Sequence, residues 1–293
     1  MVACSSEEES TPTNPTTPDT PEPNQTPTFT LPEVSKAGYE ASDTAFVGWD
    51  LVFEDNFDTD LSQWTPWIGG AFNEELQFYR SSNLFVENDL LYIYGKKTQV
   101  TGRTNPFDET SKSFQYASGR IETKTTYGPR NIEGENNVRM SARIKLVEGE
   151  GLWPAFWSFN DPWPTMGEID ILEARGNTPN EFQTNFHFGE RPNQLETSPA
   201  FNEFKYEHPT SLADEFHIYE LEWSRDQFVI MFDGEIIKTY DQETFTFVDD
   251  FFNKKHRVVL NLAIGGSFFF NLDESKIPDE SFLIVDWVKV HTR

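Results

Sequence analysis

The chain is nearly devoid of cysteine: Cys4 is the only one among 293 residues. A lone cysteine excludes a disulfide framework and a thiolate metal site. Long hydrophobic runs are missing too. No stretch reaches 18 apolar residues, so no segment is long and apolar enough to cross a membrane as a helix. Positive charge is scarce, with 23 Lys and Arg against 49 Asp and Glu, a formal net charge of −26. That balance excludes nucleic acid as a partner and disfavours a polyanionic polysaccharide, because both call for Lys and Arg. The 5 His form no Cys/His cluster, so nothing suggests a catalytic zinc. Long amphipathic helical periodicity is absent as well.

Proline dominates the start of the chain. It recurs at positions 12, 15, 18, 21, 23, 27 and 32, among Ser, Thr, Glu and Asn, which forbids both helix and central strand. Residues 1–33 therefore read as a disordered, extended linker, and residues 34–293 as one domain. The first residues, Met1-Val2-Ala3-Cys4-Ser5-Ser6 followed by Glu7-Glu8-Glu9, resemble the end of a bacterial lipoprotein signal and its acidic export run. Cys4 is then the lipidated residue, the only membrane contact is its lipid, and the location is the bacterial cell surface or outer membrane.

Aromatic residues are abundant, with 27 Phe, 9 Tyr and 8 Trp, enough for a single core of roughly 200–250 residues. From Phe46 onward, short apolar runs such as Leu90–Tyr94, Arg139–Leu146, His217–Trp223, Arg257–Ala263 and Leu283–His291 read as strands. Gly, Pro, Asn and Asp punctuate them. The spacing predicts an all-β fold, a curved antiparallel sandwich with one concave face where a linear polymer can lie. Thr98–Gln115 and Glu190–Asp214 read as polar loops.

One stretch carries chemistry. Glu168, Asp170 and Glu173 lie within Gly167-Glu168-Ile169-Asp170-Ile171-Leu172-Glu173, just after Trp153, Trp157 and Trp163. On a strand Glu168 and Asp170 share a face, and Glu173 joins them only if a β-bulge at Ile171-Leu172 absorbs one residue. The Cα atoms of Glu168 and Glu173 would then lie about 13 Å apart. Side chains leaning together could bring the carboxyls to roughly 5 Å, the separation a retaining glycosidase needs. Like charges so close would leave one acid protonated near neutral pH.

Residues 46–293 resemble a family 16 glycoside hydrolase, a β-jelly-roll family, in its laminarinase-like, endo-β-1,3-glucanase branch. The row matches the family pattern Glu-x-Asp-x-x-Glu. Trp153-Pro154-Ala155-Phe156-Trp157 resembles its WPAFW segment and Asn73-Glu74-Glu75-Leu76-Gln77 its NNELQ segment, with Glu74 in place of the second Asn. Ser118-Gly119-Arg120-Ile121, Leu260-Asn261-Leu262-Ala263-Ile264-Gly265-Gly266 and Val285-Asp286-Trp287 match further strands.

The resemblance implies a catalytic domain with Glu168 as nucleophile, Glu173 as acid/base and Asp170 tuning between them. The expected substrate is a β-glucan of laminarin type, with no cofactor in the chemistry, and the expected state is a monomer. Trp153, Trp157 and Trp163 are candidates for stacking on sugar rings. Asn73, Arg120, Gln183, His187 and Asn261 are candidates for reading hydroxyls. Gln183, Asn185 and His187 share one strand face. Asp286 matches the position of a structural calcium ligand in the family, although Asn56 and Asn88-Asp89 depart from that pattern. Mixed-linkage β-1,3-1,4-glucan is the nearest alternative substrate, and agarans or porphyran lie further off. A surface glycan-binding protein is the non-enzymatic alternative.

Overall fold

Alternating apolar residues build the chain into short strands, described in this computed structural model for residues 30–293 except 43, 71, 106–107, 197–202 and 246–247. Cys4 and the linker up to residue 29 lie outside the described residues. The first strands are β1 (Asp50–Asp55), β2 (Trp64–Pro66), β3 (Gln77–Tyr79), β4 (Leu84–Val86), β5 (Leu91–Asn105) and β6 (Asp108–Ser118). Next come β7 (Arg120–Thr123), β8 (Val138–Lys145), β9 (Leu152–Phe159), β10 (Glu168–Ala174), β11 (Glu181–His187) and β12 (Phe204–Glu207). The last are β13 (His217–Trp223), β14 (Gln227–Phe232), β15 (Glu235–Asp241), β16 (Arg257–Ile264) and β17 (Glu280–Thr292).

Two sheets face each other. A ten-stranded sheet runs β15-β14-β13-β8-β17-β5-β6-β3, with β1 on β17 and β4 on β5. A seven-stranded sheet runs β12-β11-β10-β9-β16-β7-β2. Among the described residues every pairing of these strands is antiparallel except β3 with β6, which is parallel. The expected sandwich is therefore present, with one parallel seam at its margin.

Between the sheets the side chains follow a period of two. Val138, Met140, Ala142 and Ile144 of β8 meet Phe156, Ile169, Phe186, Leu260 and Leu262 of the smaller sheet, and all are buried. Burying each large apolar side chain contributes about 1.5–3 kcal/mol. The same alternation turns the intervening residues of β7, β9, β10, β11 and β16 outward on the smaller sheet. That outer face carries the acid row.

Three expectations need correction. Glu190–Asp214 is not loop throughout, because β12 lies within it and pairs with β11. Thr98–Gln115 is no loop: β5 and β6 continue through it as a hairpin whose distal residues are mostly exposed. Asp286 does not fit a calcium ion. Its Oδ1 faces Lys36 Nζ at 2.8 Å and its Oδ2 faces Arg143 Nη1 at 2.7 Å, so both oxygens already neutralise cations. Arg143 is fully buried and also donates to the carbonyls of Lys36 and Tyr39, tying the segment before β1 to the larger sheet. Leu31 and Val34 pack on a second apolar cluster around Phe85, Tyr92 and Phe216.

Candidate active site

The site begins with a local irregularity in β10. Against β11, Asp170 faces Asn185 and Glu173 faces Gln183, so three steps on one strand match two on the other. Against β9 the extra residue falls between Asp170 and Leu172. Ile171 and Leu172 therefore both turn into the core, each fully buried. Burying two consecutive apolar side chains is what drives the bulge, and it returns Glu173 to the face of Glu168 and Asp170. Gly167 sets the entry to this row. Its φ of +83° suits glycine, and a Cβ there would lie 2.2 Å from the Phe251 ring.

Each glutamate receives one indole N–H. Trp163 Nε1 donates to Glu168 Oε2 at 2.9 Å, and Trp153 Nε1 donates to Glu173 Oε1 at 3.1 Å. Burial, then the Asp170 charge, push Glu168 up to about 7. Burial and the charges of Asp170 and Glu168 push Glu173 well above the ordinary carboxylate range. Only one of two such neighbours ionises readily, and Glu173 is the one that keeps its proton.

His187 faces Glu168 directly across the β10–β11 register. Its Nε2 lies 3.3 Å from Asp170 Oδ2 and 3.6 Å from Glu168 Oε1. Burial opposes a charged imidazole, but Asp170, Glu168 and Glu173 outweigh it and raise His187 to about 9. The contact with Asp170 is an ion pair and not an aligned hydrogen bond. Beyond that ion pair, Asp170 Oδ2 and His187 Nδ1 are both buried with no hydrogen-bond partner. Glu168, Asp170 and His187 also have the spacing of a metal-binding group. A cation there would have to displace the proton that the surrounding carboxylates hold on His187.

Several residues expected to touch substrate are also held by protein partners. Asn261 accepts from Trp157 Nε1 at 2.7 Å and donates to Tyr79 Oη at 3.2 Å, so its amide fixes the Trp157 indole. Arg120 is buried, pairs with Glu122 at 2.6 Å, and stacks on Trp67, Trp157 and Phe159. Gln183 Oε1 accepts from Arg175 Nη1 at 3.0 Å. Asn73, by contrast, is exposed in a left-handed turn with φ of 53°, its carbonyl accepting from Ser267 N.

Reading the sequence alone misses Glu75, Arg175 and Phe268. Glu75 accepts from Gln77 and Tyr79, extending a chain of hydrogen bonds to Trp157 through Asn261. Glu75 lies inside a quoted segment, so its signal was at hand. Arg175 and Phe268 carry none, because each finds its partners from a distant part of the chain.

The arrangement can deliver a proton from one carboxyl while the other, more readily ionised, acts as a nucleophile. A family model described as "Glycosyl hydrolases family 16" matches residues 81–277. A glucan endo-1,3-beta-glucosidase from Cryptopygus antarcticus is 30% identical, covering 83% of this chain and 92% of its own. Glucan endo-1,3-beta-glucosidase A1 from Niallia circulans is 28% identical over 85% of this chain, which spans only 39% of that longer protein. The X-ray structure of endo-beta-1,3-glucanase from Pyrococcus furiosus superposes with a TM-score of 0.70 at 28% identity, covering 83% of this chain and 94% of its own. The sandwich is thus the jelly roll of these enzymes, and the chain belongs to glycosyl hydrolase family 16, a family whose hydrolysis needs no cofactor.

Proposed function

We propose that the protein is an endo-acting, retaining hydrolase of β-1,3-glucosidic bonds in a laminarin-type β-glucan. The observation that carries this reading is the bulged row. It sets Glu168 and Glu173 on one face with different proton affinities, each oriented by its own indole. The endo-β-1,3-glucanase names of the relatives favour this substrate, and a net charge of −26 suits a neutral polymer.

In the first step the Glu168 carboxylate attacks C1 while Glu173 gives its proton to the departing glycosidic oxygen. A glycosyl ester forms on Glu168 and the reducing-side glucan leaves. In the second step Glu173, now a carboxylate, takes a proton from water as that water attacks C1, and Glu168 is released. Asp170 and His187 set the charge around Glu168, the Asp as an anion neighbour and the imidazolium against it.

The test is a panel of laminarin, mixed-linkage β-1,3-1,4-glucan and agarose with wild type and Glu168→Gln. Laminarin should be cut fastest, into oligosaccharides, and the variant should lose at least about 10³-fold in kcat while still binding glucan. Faster cutting of mixed-linkage glucan would transfer the assignment to that substrate. Binding without release of reducing ends by wild type would make the protein a glycan-binding module.

A further inference from the structure

Phe268 lies in the turn after β16, outside the acid row, yet it packs against the partner of Glu173. The Trp153 and Phe268 rings are stacked with centroids 4.2 Å apart and 12° between their planes. The guanidinium carbon of Arg175 sits 3.6 Å from the same Phe268 centroid. Two flat groups this close cannot share one face of a phenyl ring, so they take opposite faces. The result is a column of Trp153, Phe268 and Arg175, and with both faces covered Phe268 has none left for a sugar.

Each end of the column is fixed. Trp153 donates to Glu173 Oε1 at 3.1 Å. Arg175 donates through Nε to the Phe268 carbonyl at 2.9 Å and through Nη1 to Gln183 Oε1 at 3.0 Å. Gln183 is in turn the register partner of Glu173 on β11. The column thus closes a ring around the carboxyl of Glu173, and Arg175 lines the same hollow as that carboxyl while bonded to Phe268 and Gln183.

We propose that Phe268 is a positioning residue for proton donation by Glu173: it presses the Trp153 indole against Oε1 and holds the Arg175 guanidinium away from the same carboxyl. This rests on Glu173 being the acid of the proposed reaction. Other charges also face Glu173. Glu168 and Asp170 lie on its own strand, and His187 on β11. Glu181 and Lys205 line the same hollow from β11 and β12. Of the cations, Arg175 is the one Phe268 restrains. Without the ring it can turn toward Glu173, where a full charge outweighs the single indole hydrogen bond loosened at Oε1, favour the carboxylate and cost the acid its proton.

The experiment compares two substrates whose leaving groups differ. A β-1,3-glucan leaves as an alkoxide and needs a proton, whereas a dinitrophenyl β-laminaribioside leaves as a phenolate and needs none. Phe268→Ala and Phe268→Leu should lose about 10- to 100-fold in kcat on the glucan, within the range of general acid catalysis. On the dinitrophenyl substrate they should lose less than about threefold, because bond breaking there does not draw on general acid catalysis. The basic limb of the glucan profile should move to lower pH, Phe268→Tyr should restore it, and adding Arg175→Met to Phe268→Ala should move it back. Equal losses on both substrates, or a change confined to KM, would overturn the proposal. Glu173→Ala is the control for the reading beneath it and should lose glucan activity but form glycosyl-enzyme from the dinitrophenyl substrate. If Glu173→Ala behaves so and the Phe268 variants do not, only the proposal fails. If Glu173→Ala keeps full glucan activity, the acid assignment fails first.

Discussion

Glu168 and His187 are direct partners across β10 and β11, with His187 Nε2 3.6 Å from Glu168 Oε1. An imidazolium at that distance favours the ionised form of Glu168. The proposed reaction needs Glu168 ionised and Glu173 protonated, so activity rises as pH passes the Glu168 value and falls as Glu173 ionises. Removing the cation raises the pKa of Glu168. His187→Gln should therefore move the acidic limb of kcat/KM upward by about one unit or more, with about a tenfold loss on that limb. An unmoved acidic limb would show that His187 does not set the charge on Glu168.

Gly167 links the Pro164–Met166 turn to the acid row. Its amide donates to Pro164 O at 2.9 Å, and Phe251 fills the space where a Cβ would go. Gly167→Ala combines a left-handed backbone with overpacking and should cost about 2–4 kcal/mol in urea denaturation. Because Glu168 follows directly, kcat should fall as well. Wild-type stability and rate together would contradict the close approach described.

Glu75 is buried beneath the cleft, where burial raises it to about 7 against the hydrogen bonds from Gln77 and Tyr79. A folded-state value above the unfolded one means the protonated group stabilises the fold. That contribution is complete below the ordinary value of 4.5 and is lost as pH rises through about 7. Glu75→Gln should flatten the fall of stability between roughly pH 5 and 8 by up to one proton's worth. A slope equal to wild type would mean Glu75 is already ionised in the folded protein.

Arg143 and Lys36 stand at Asp286 where the family resemblance implies calcium. Addition of a chelator should leave the melting temperature unchanged. Arg143→Met strands the buried Asp286 with Lys36 alone and should cost about 3–5 kcal/mol, the usual effect of breaking a buried ion pair from one side. A chelator-induced drop in melting temperature that calcium reverses would overturn this arrangement.

Local signals made the centre of this molecule readable. Ile171 and Leu172 stand together between acids, and only a bulge lets both enter the core while Glu173 stays outside. The strand at His217–Trp223 is legible for a similar reason: Tyr219, Leu221 and Trp223 enter the core, while Glu220 and Glu222 between them pair with Arg139. The β5–β6 hairpin is not legible, because its distal part buries few side chains and so shows no apolar alternation. The surroundings of Arg120 are also hidden, since Glu122 and three aromatic rings hold its guanidinium. Asp286 looks like a free ligand until Arg143, 143 residues away, closes on it. Arg143 at Asp286, and the Trp157 and Phe159 rings at Arg120, come from distant strands, and one sequence does not reveal those meetings.

The division of labour between Glu168 and Glu173 is tested most directly by trapping the glycosyl-enzyme. The protein would be incubated with a 2-deoxy-2-fluoro β-laminaribiosyl donor bearing a dinitrophenolate leaving group, then digested and sequenced by fragmentation mass spectrometry. The fluorine slows both steps, and the activated leaving group lets the first proceed, so the ester accumulates. The account predicts one laminaribiosyl adduct, located on Glu168. An adduct on Asp170 or Glu173, or an α-configured first product with no adduct at all, would contradict it.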